Sequence, residues 1–252
     1  MLSTAQFGFL VLAGFGAGLA GSIAGLASLA SYPALLLVGI PPVQANITNT
    51  VALTANTVGA VLGSRPELRG KARALLPLAL LMLVGGAAGA ALLLALPGTV
   101  FAYAVPWLVA AASGVLIARP YILKRQADGN HLRRTGPVFL IVIFLAAVYG
   151  GYFGAGAGVL VLAMLSMSSR ESLPRVNAEK NLLLGVANLT AAVGFAVFNH
   201  VHWLAALAVA VGGVVGSYIG PAIMRRLPER PTRIVIAILG FALAVKLLLD
   251  VT

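Results

Sequence analysis

Apolar residues run in long blocks along this chain, and polar ones enter those blocks at few places. Residues 6–39 form one such block. As a straight helix it would be about 51 Å long, against a hydrocarbon core of about 30 Å. It must therefore break. Gly14, Gly16, Gly18, Gly21 and Gly25 mark the weak part, and Pro33, Pro41 and Pro42 punctuate the far end. A tilted kinked helix, two short spans, or a helix with a re-entrant half-helix all satisfy the pattern. Residues 137–166 repeat the overlong, glycine-broken run. Each run leads to a helix that carries amides. In 43–62, Asn46, Asn49, Thr50, Asn56 and Thr57 fall within an arc of about 120°. In the second, 182–198 and the turn before it, Asn177, Asn181 and Asn188 lie within about 40° of one another. Residues 75–96, 100–118, 204–223 and 234–249 read as ordinary spans. Gly85, Gly86 and Gly89 give the first of these a small-residue face suited to close packing.

Composition moves this pattern into a bilayer. The chain is 60% hydrophobic and 9% charged, with a mean hydropathy of +1.02, where soluble domains carry about 25% charged residues. The fold class expected is an all-α polytopic membrane protein. It has two repeated halves, each a glycine-broken hairpin plus three spanning helices. The divisions expected are a first repeat over 1–118, a basic linker over 119–136 and a second repeat over 137–252, within one membrane domain. The N-terminus lacks the basic region of a secretory signal and reads as mature protein. With no cysteine there is no disulfide, thiolate metal site or Cys nucleophile.

The net charge of +11 changes the picture through its location. All of it falls in four loops, 64–74, 119–135, 166–180 and 225–233, while the turns at 39–42, 97–99 and 199–202 carry no Lys, Arg, Asp or Glu. That is positive-inside patterning, which places the basic loops in the cytoplasm; the location expected is the plasma membrane, as a multi-pass protein of the cell inner membrane. Basic residues are not interleaved with exposed aromatics, so no nucleic-acid partner is expected. By parity, helix 43–62 then runs outside to inside and helix 182–198 inside to outside. The overlong runs return to the side where they began. This is an inverted-topology repeat, with the site expected where the halves meet. Eight single spans with parallel halves remain the alternative, at the cost of one charged loop on the wrong side.

Two segments, 21–56 and 150–188, resemble the sulfite exporter TauE/SafE family of membrane permeases. The second half carries the resemblance: Gly150-Gly151-Tyr152-Phe153-Gly154-Ala155-Gly156-Ala157-Gly158, then Lys180-Asn181, then Asn188-Leu189-Thr190-Ala191. His202-Trp203 fits the family's polar-aromatic entry to the next span. The first half keeps the spacing to Pro33 approximately, with Ala27 and Ser28 where the family usually has glycine. The resemblance implies export or exchange of small anions, typically sulfite or organosulfonates.

The candidate substrate-binding residues are Asn49, Asn56, Asn177, Asn181, Asn188, Gly154, Gly156, Gly158 and Ser28. Glycines at a broken helix can turn backbone amides toward an anion, or can simply let helices pack closely. The amides can hold an anion without a permanent buried charge, or can bond between helices. Lys180 can attract an anion at the cytoplasmic mouth, or can snorkel beside Glu179. His200 and His202 can titrate near neutral pH but lack a third metal ligand, and an interfacial role beside Trp203 is the plainer reading. No HExxH, GxSxG or P-loop occurs, and no Asp lies within an expected span. Neither enzyme chemistry nor a cofactor or metal is expected. The function expected is a secondary transporter for a small anion, with the lipid bilayer as its other partner and a homo-oligomer left open. A passive anion channel and a non-transporting accessory subunit are the alternatives.

Overall fold

The computed structural model describes residues 2–101, 136–169 and 171–224, with isolated positions among 103–134 and 238–249. The expected spans 100–118 and 234–249 and the basic loops 119–135 and 225–233 lie largely outside the described residues.

Every described element is helical. Ser3 starts α1 (Thr4–Ala24): its hydroxyl accepts the Gln6 N–H while the Gln6 side chain accepts the Ser3 N–H. The helix stops at Gly25, whose φ of 79° is the left-handed conformation that disfavours any residue with a Cβ. After Leu26 the chain re-enters a helix, α2 (Ala27–Leu37), of 11 residues. That length is about 17 Å, roughly half the hydrocarbon core. Pro41 and Pro42 set the start of α3 (Pro42–Gly63), Pro42 standing where its missing N–H costs nothing. A single turn, α4 (Arg65–Leu68), leads to α5 (Ala72–Ala95). The second half repeats the scheme. Helix α6 (Pro137–Tyr152) breaks at 153–156, α7 (Ala157–Met167) again has 11 residues, and α8 (Leu173–Phe198) and α9 (Trp203–Met224) follow.

Among the described residues, four helical stretches are long and apolar enough to cross a bilayer: Thr4–Ala24, Ala72–Ala95, Leu173–Phe198 and Trp203–Ile223. Helix α3 has 22 residues but is more polar, and its Asn46, Thr48, Asn49, Thr50 and Asn56 are all buried. Leucines and valines such as Leu12, Leu76, Leu80, Val84 and Val197 lie exposed instead. Polar groups inside and aliphatic groups outside is the arrangement a hydrocarbon solvent selects.

Small residues let the backbones approach. A Cβ on Gly85 would sit 2.5 Å from the Ala147 Cβ, and one on Gly86 2.5 Å from the Ala187 carbonyl, which seats α5 on α6 and α8. The expected small-residue face of α5 is therefore used. Gly14 and Gly212 do the same between α1 and α9.

The two ends of the molecule differ. Leu2 and Gln6 at the start of α1, Val38–Ile40 after α2, and 200–205 before and within α9 line one cavity, so α1 and α2 begin and end beside one another. This end holds the uncharged turns 39–42 and 199–202. At the other end, Phe139 near the start of α6 and Leu165 near the close of α7 share a core with Leu75 and Val176. There Lys71, Arg134, Glu171 and Glu179, from three of the charged loops, form ion pairs.

Candidate functional site

The two helix breaks meet in the middle of the molecule. A Cβ on Gly25 would fall 2.5 Å from the Gly158 Cα, so backbone touches backbone. The first break needs one left-handed glycine, Gly25, and the second needs two, Gly154 at φ 77° and Gly156 at φ 76°. Each is followed by the N-terminus of a half-length helix, α2 or α7, and neither N-terminus has a side-chain cap. The first four N–H groups of a helix have no partner within it and form its partially positive end.

Beside this contact lies a cavity of about 70 Å³, room for a few heavy atoms, since a cavity of about 150 Å³ takes benzene. Six of the expected residues line it: Ser28, Asn56, Gly154, Gly158, Asn181 and Asn188. Asn49, Asn177 and Gly156 are not among the lining residues. Asn49 is buried between Ser28, to whose hydroxyl it donates at 3.1 Å, and Ser31, whose hydroxyl it accepts. Gly156 forms the hinge. Thr50 and Thr57, in the same sequence arc as Asn56, also line the cavity, and so do Ser22, Phe153 and Ser217. Sequence reasoning passed over Ser217 because α9 read as an ordinary span. The signal was its place in the small-residue run Gly212-Gly213, Gly216-Ser217 and Gly220.

Among the described residues, none that lines the cavity is Asp, Glu, Lys, Arg or His. Asn56 is 7% exposed, and neither its Nδ2 nor its Oδ1 has a partner in the protein. An unpaired buried amide carries a desolvation penalty of about 1–3 kcal/mol, and a ligand can relieve it.

Side chains of each half close the broken helix of the other. Asn46 of α3 donates at 2.8 Å to the Tyr152 carbonyl, the last residue of α6. From α8, Asn177 and Asn181 both donate to the Ser22 carbonyl of α1, at 2.7 and 3.2 Å, and the Lys180 ammonium donates to the Gly21 carbonyl at 2.9 Å. Lys180 is fully buried. The expectation of a snorkelling lysine is thereby corrected: a cation is favourable at a helix C-terminus, and the end of α1 offers one inside the protein.

At the charged end, Glu179 is fully buried between Arg134, at 2.7 Å, and Lys71, at 3.1 Å; Lys71 also pairs with Glu171. Partial burial pulls the Lys71 pKa down, but its bonds to Glu171 and Glu179 outweigh that and hold it above the ordinary lysine value. At the other end, the His200 and His202 rings meet edge to face with centroids 5.2 Å apart. Both line a cavity of about 440 Å³ together with Gln6 and Trp203. The described residues bring no group of three His, Asp or Glu together to hold a metal.

Comparison with known proteins agrees with a membrane transporter. Residues 10–247 match the family model described as sulfite exporter TauE/SafE. A probable membrane transporter protein, ORF9, of Sinorhizobium sp is 30% identical over 97% of this chain and 93% of its own length. The probable membrane transporter protein YfcA of Escherichia coli K12 is 26% identical over 99% and 92%. One from Haemophilus influenzae is 23% identical over 96% and 94%. No solved structure matches the chain. The chain belongs to the sulfite exporter TauE/SafE family.

Proposed function

From that membership we propose that the protein is a secondary transporter for a small anion, sulfite or an organosulfonate, which binds in the cavity where the two glycine breaks meet. The observation that carries the reading is the cavity itself. Two uncapped helix N-termini start beside it, an unpartnered buried amide lines it, and among the described residues no acidic side chain lines it. Such a site attracts negative charge with backbone and neutral amides, so the anion is held without a lasting ion pair and can leave again. Its size suits a group of a few heavy atoms. Within it, Ser28, Asn56, Gly154, Gly158, Asn181 and Asn188 contact the ligand. Asn49, Asn177 and Gly156 support them from the next layer. No bond is made or broken in the substrate.

The halves are related by inverted topology, with 1–118 and 137–252 as the repeats and 119–136 as the linker. The reciprocal capping across the breaks supports this, and so does the return of α1–α2 to the uncharged end and of α6–α7 to the charged end. The charged loops face the cytoplasm of a plasma membrane, in keeping with the pairing of Lys71, Arg134, Glu171 and Glu179 at one end.

Thermal stability of the detergent-purified protein against sulfite, sulfate, thiosulfate, sulfoacetate, acetate and chloride tests the substrate class. A ligand at about 100 times its dissociation constant stabilises by about 2.7 kcal/mol. A selective shift with one sulfur oxyanion, absent in Asn181→Ala, is the expected result. Stabilisation by none of them, or equal stabilisation of Asn181→Ala, would overturn the substrate or the site respectively.

A further inference from the structure

Any anion in this cavity faces an electrostatic conflict. The N-termini of α2 and α7 favour it, but α1 ends at the same place. Gly21 and Ser22, whose carbonyls belong to the last turn of α1, both line the cavity. A helix C-terminus carries roughly half a negative charge, enough to oppose the anion. The Gly21 carbonyl already accepts the Gly25 N–H at 2.8 Å and receives Lys180 on its other side at 2.9 Å. The Ser22 carbonyl receives the neutral amides of Asn177 and Asn181. At the end of α6, the Tyr152 carbonyl is capped by the neutral Asn46. Lys180 therefore sets its ammonium on the last turn of α1, which brings Gly21 and Ser22 to the cavity wall, whereas the last turn of α6 brings Gly150 alone.

We propose that Lys180 is a specificity-determining residue of the transport site that never touches the ligand: its buried ammonium cancels the negative end of α1, so that the positive ends of α2 and α7 decide the sign of what binds. The inference rests on the anion reading above. It differs from attraction at a cytoplasmic mouth, because the charge acts through α1 from inside the protein. Its action also depends on ligand charge. A purely structural lysine would weaken every ligand alike, whereas a charge effect doubles in free energy from a monoanion to a dianion.

The test compares Lys180→Gln, which keeps a donor for the Gly21 carbonyl without the charge, with Lys180→Arg, which keeps both. Should Lys180→Gln not give monodisperse protein in detergent, Lys180→Met takes its place. Binding is measured by titration calorimetry and transport by uptake into liposomes, using methanesulfonate as the monoanion and thiosulfate and sulfate as dianions. The neutral variant is expected to bind a monoanion about tenfold more weakly than the wild type and a dianion about a hundredfold more weakly. KM is expected to rise more than the maximal rate falls, and Lys180→Arg to stay within about threefold of the wild type. Unchanged affinity in Lys180→Gln, or equal losses for both ligand charges and for Lys180→Arg, would overturn the proposal while leaving the anion reading standing. A wild-type protein that binds none of these anions, nor any in the earlier panel, would remove the anion reading and this inference with it.

Discussion

The first-half break and the second-half break do the same job with different means. The first is short, Gly25-Leu26, and is held from outside by Asn177, Lys180 and Asn181 of α8. The second is longer, 153–156, and is braced partly from within, the Tyr149 hydroxyl donating across it to the Ala155 carbonyl; Asn46 reaches it from α3. A short break needs one left-handed glycine and a longer one needs two. Ala27 and Ser28 already belong to α2, where φ is negative and a Cβ costs nothing. The difference teaches that a broken helix can spend glycine on local geometry or borrow polar side chains from a neighbour. The half that borrows ties its position to that of α8.

The largest effect is expected at the contact of Gly25 with Gly158. Gly25→Ala combines a disfavoured φ with overlap on Gly158, and is expected to cost about 3 kcal/mol or more. Gly39→Ala has a similar φ of 88° but open space around it, and is expected to cost about 1 kcal/mol. Unfolding of the two variants in detergent separates contact from conformation; equal losses would show that the apposition of the breaks is not what demands glycine.

The next effect sharpens the contrast between single and shared caps. Asn46→Leu strips the Tyr152 carbonyl of its amide donor and is expected to destabilise by about 2 kcal/mol. Asn177→Leu leaves Asn181 on the Ser22 carbonyl, and about 1 kcal/mol is expected. Their order in Tm is the check. Asn56→Ala should reverse the usual pattern. Its amide has no protein partner, so the penalty relieved offsets the packing lost, and stability is expected to change by less than about 0.5 kcal/mol. Anion affinity, measured by calorimetry, is expected to fall about tenfold.

The smallest effect concerns the charged end. The Lys71 pKa is raised in the folded protein, so its contribution to stability is fully present below the ordinary lysine pKa. It is lost as pH rises through the raised folded value. Thermal melts should be flat with respect to this pair from neutral pH up to the ordinary lysine range and fall above it. Lys71→Met should remove that alkaline fall.

Much of the architecture was legible in advance. An apolar run too long for one span has to break, and glycine is where it breaks. Amides repeated along one face of a helix in a chain this apolar have to turn inward, as they do in α3 and α8. The half-length of α2 and α7 was not legible, because an apolar run reads alike whether it crosses the bilayer or turns back. Nor were the separate roles of Asn177 and Asn181, one face of one helix, since a few ångströms across the contact decide which donor reaches a carbonyl and which also borders the cavity.

Composition demands hydrocarbon as the solvent, and run length, glycine and proline set the helices and their interruptions. Those are local properties, fixed by neighbours along the chain. The tertiary structure alone decided that Gly25 meets Gly158 and that Lys180 of one half closes the helix of the other. It also left the Asn56 amide without a partner beside the cavity. These depend on approach between segments more than a hundred residues apart, and no local pattern encodes the distance between them.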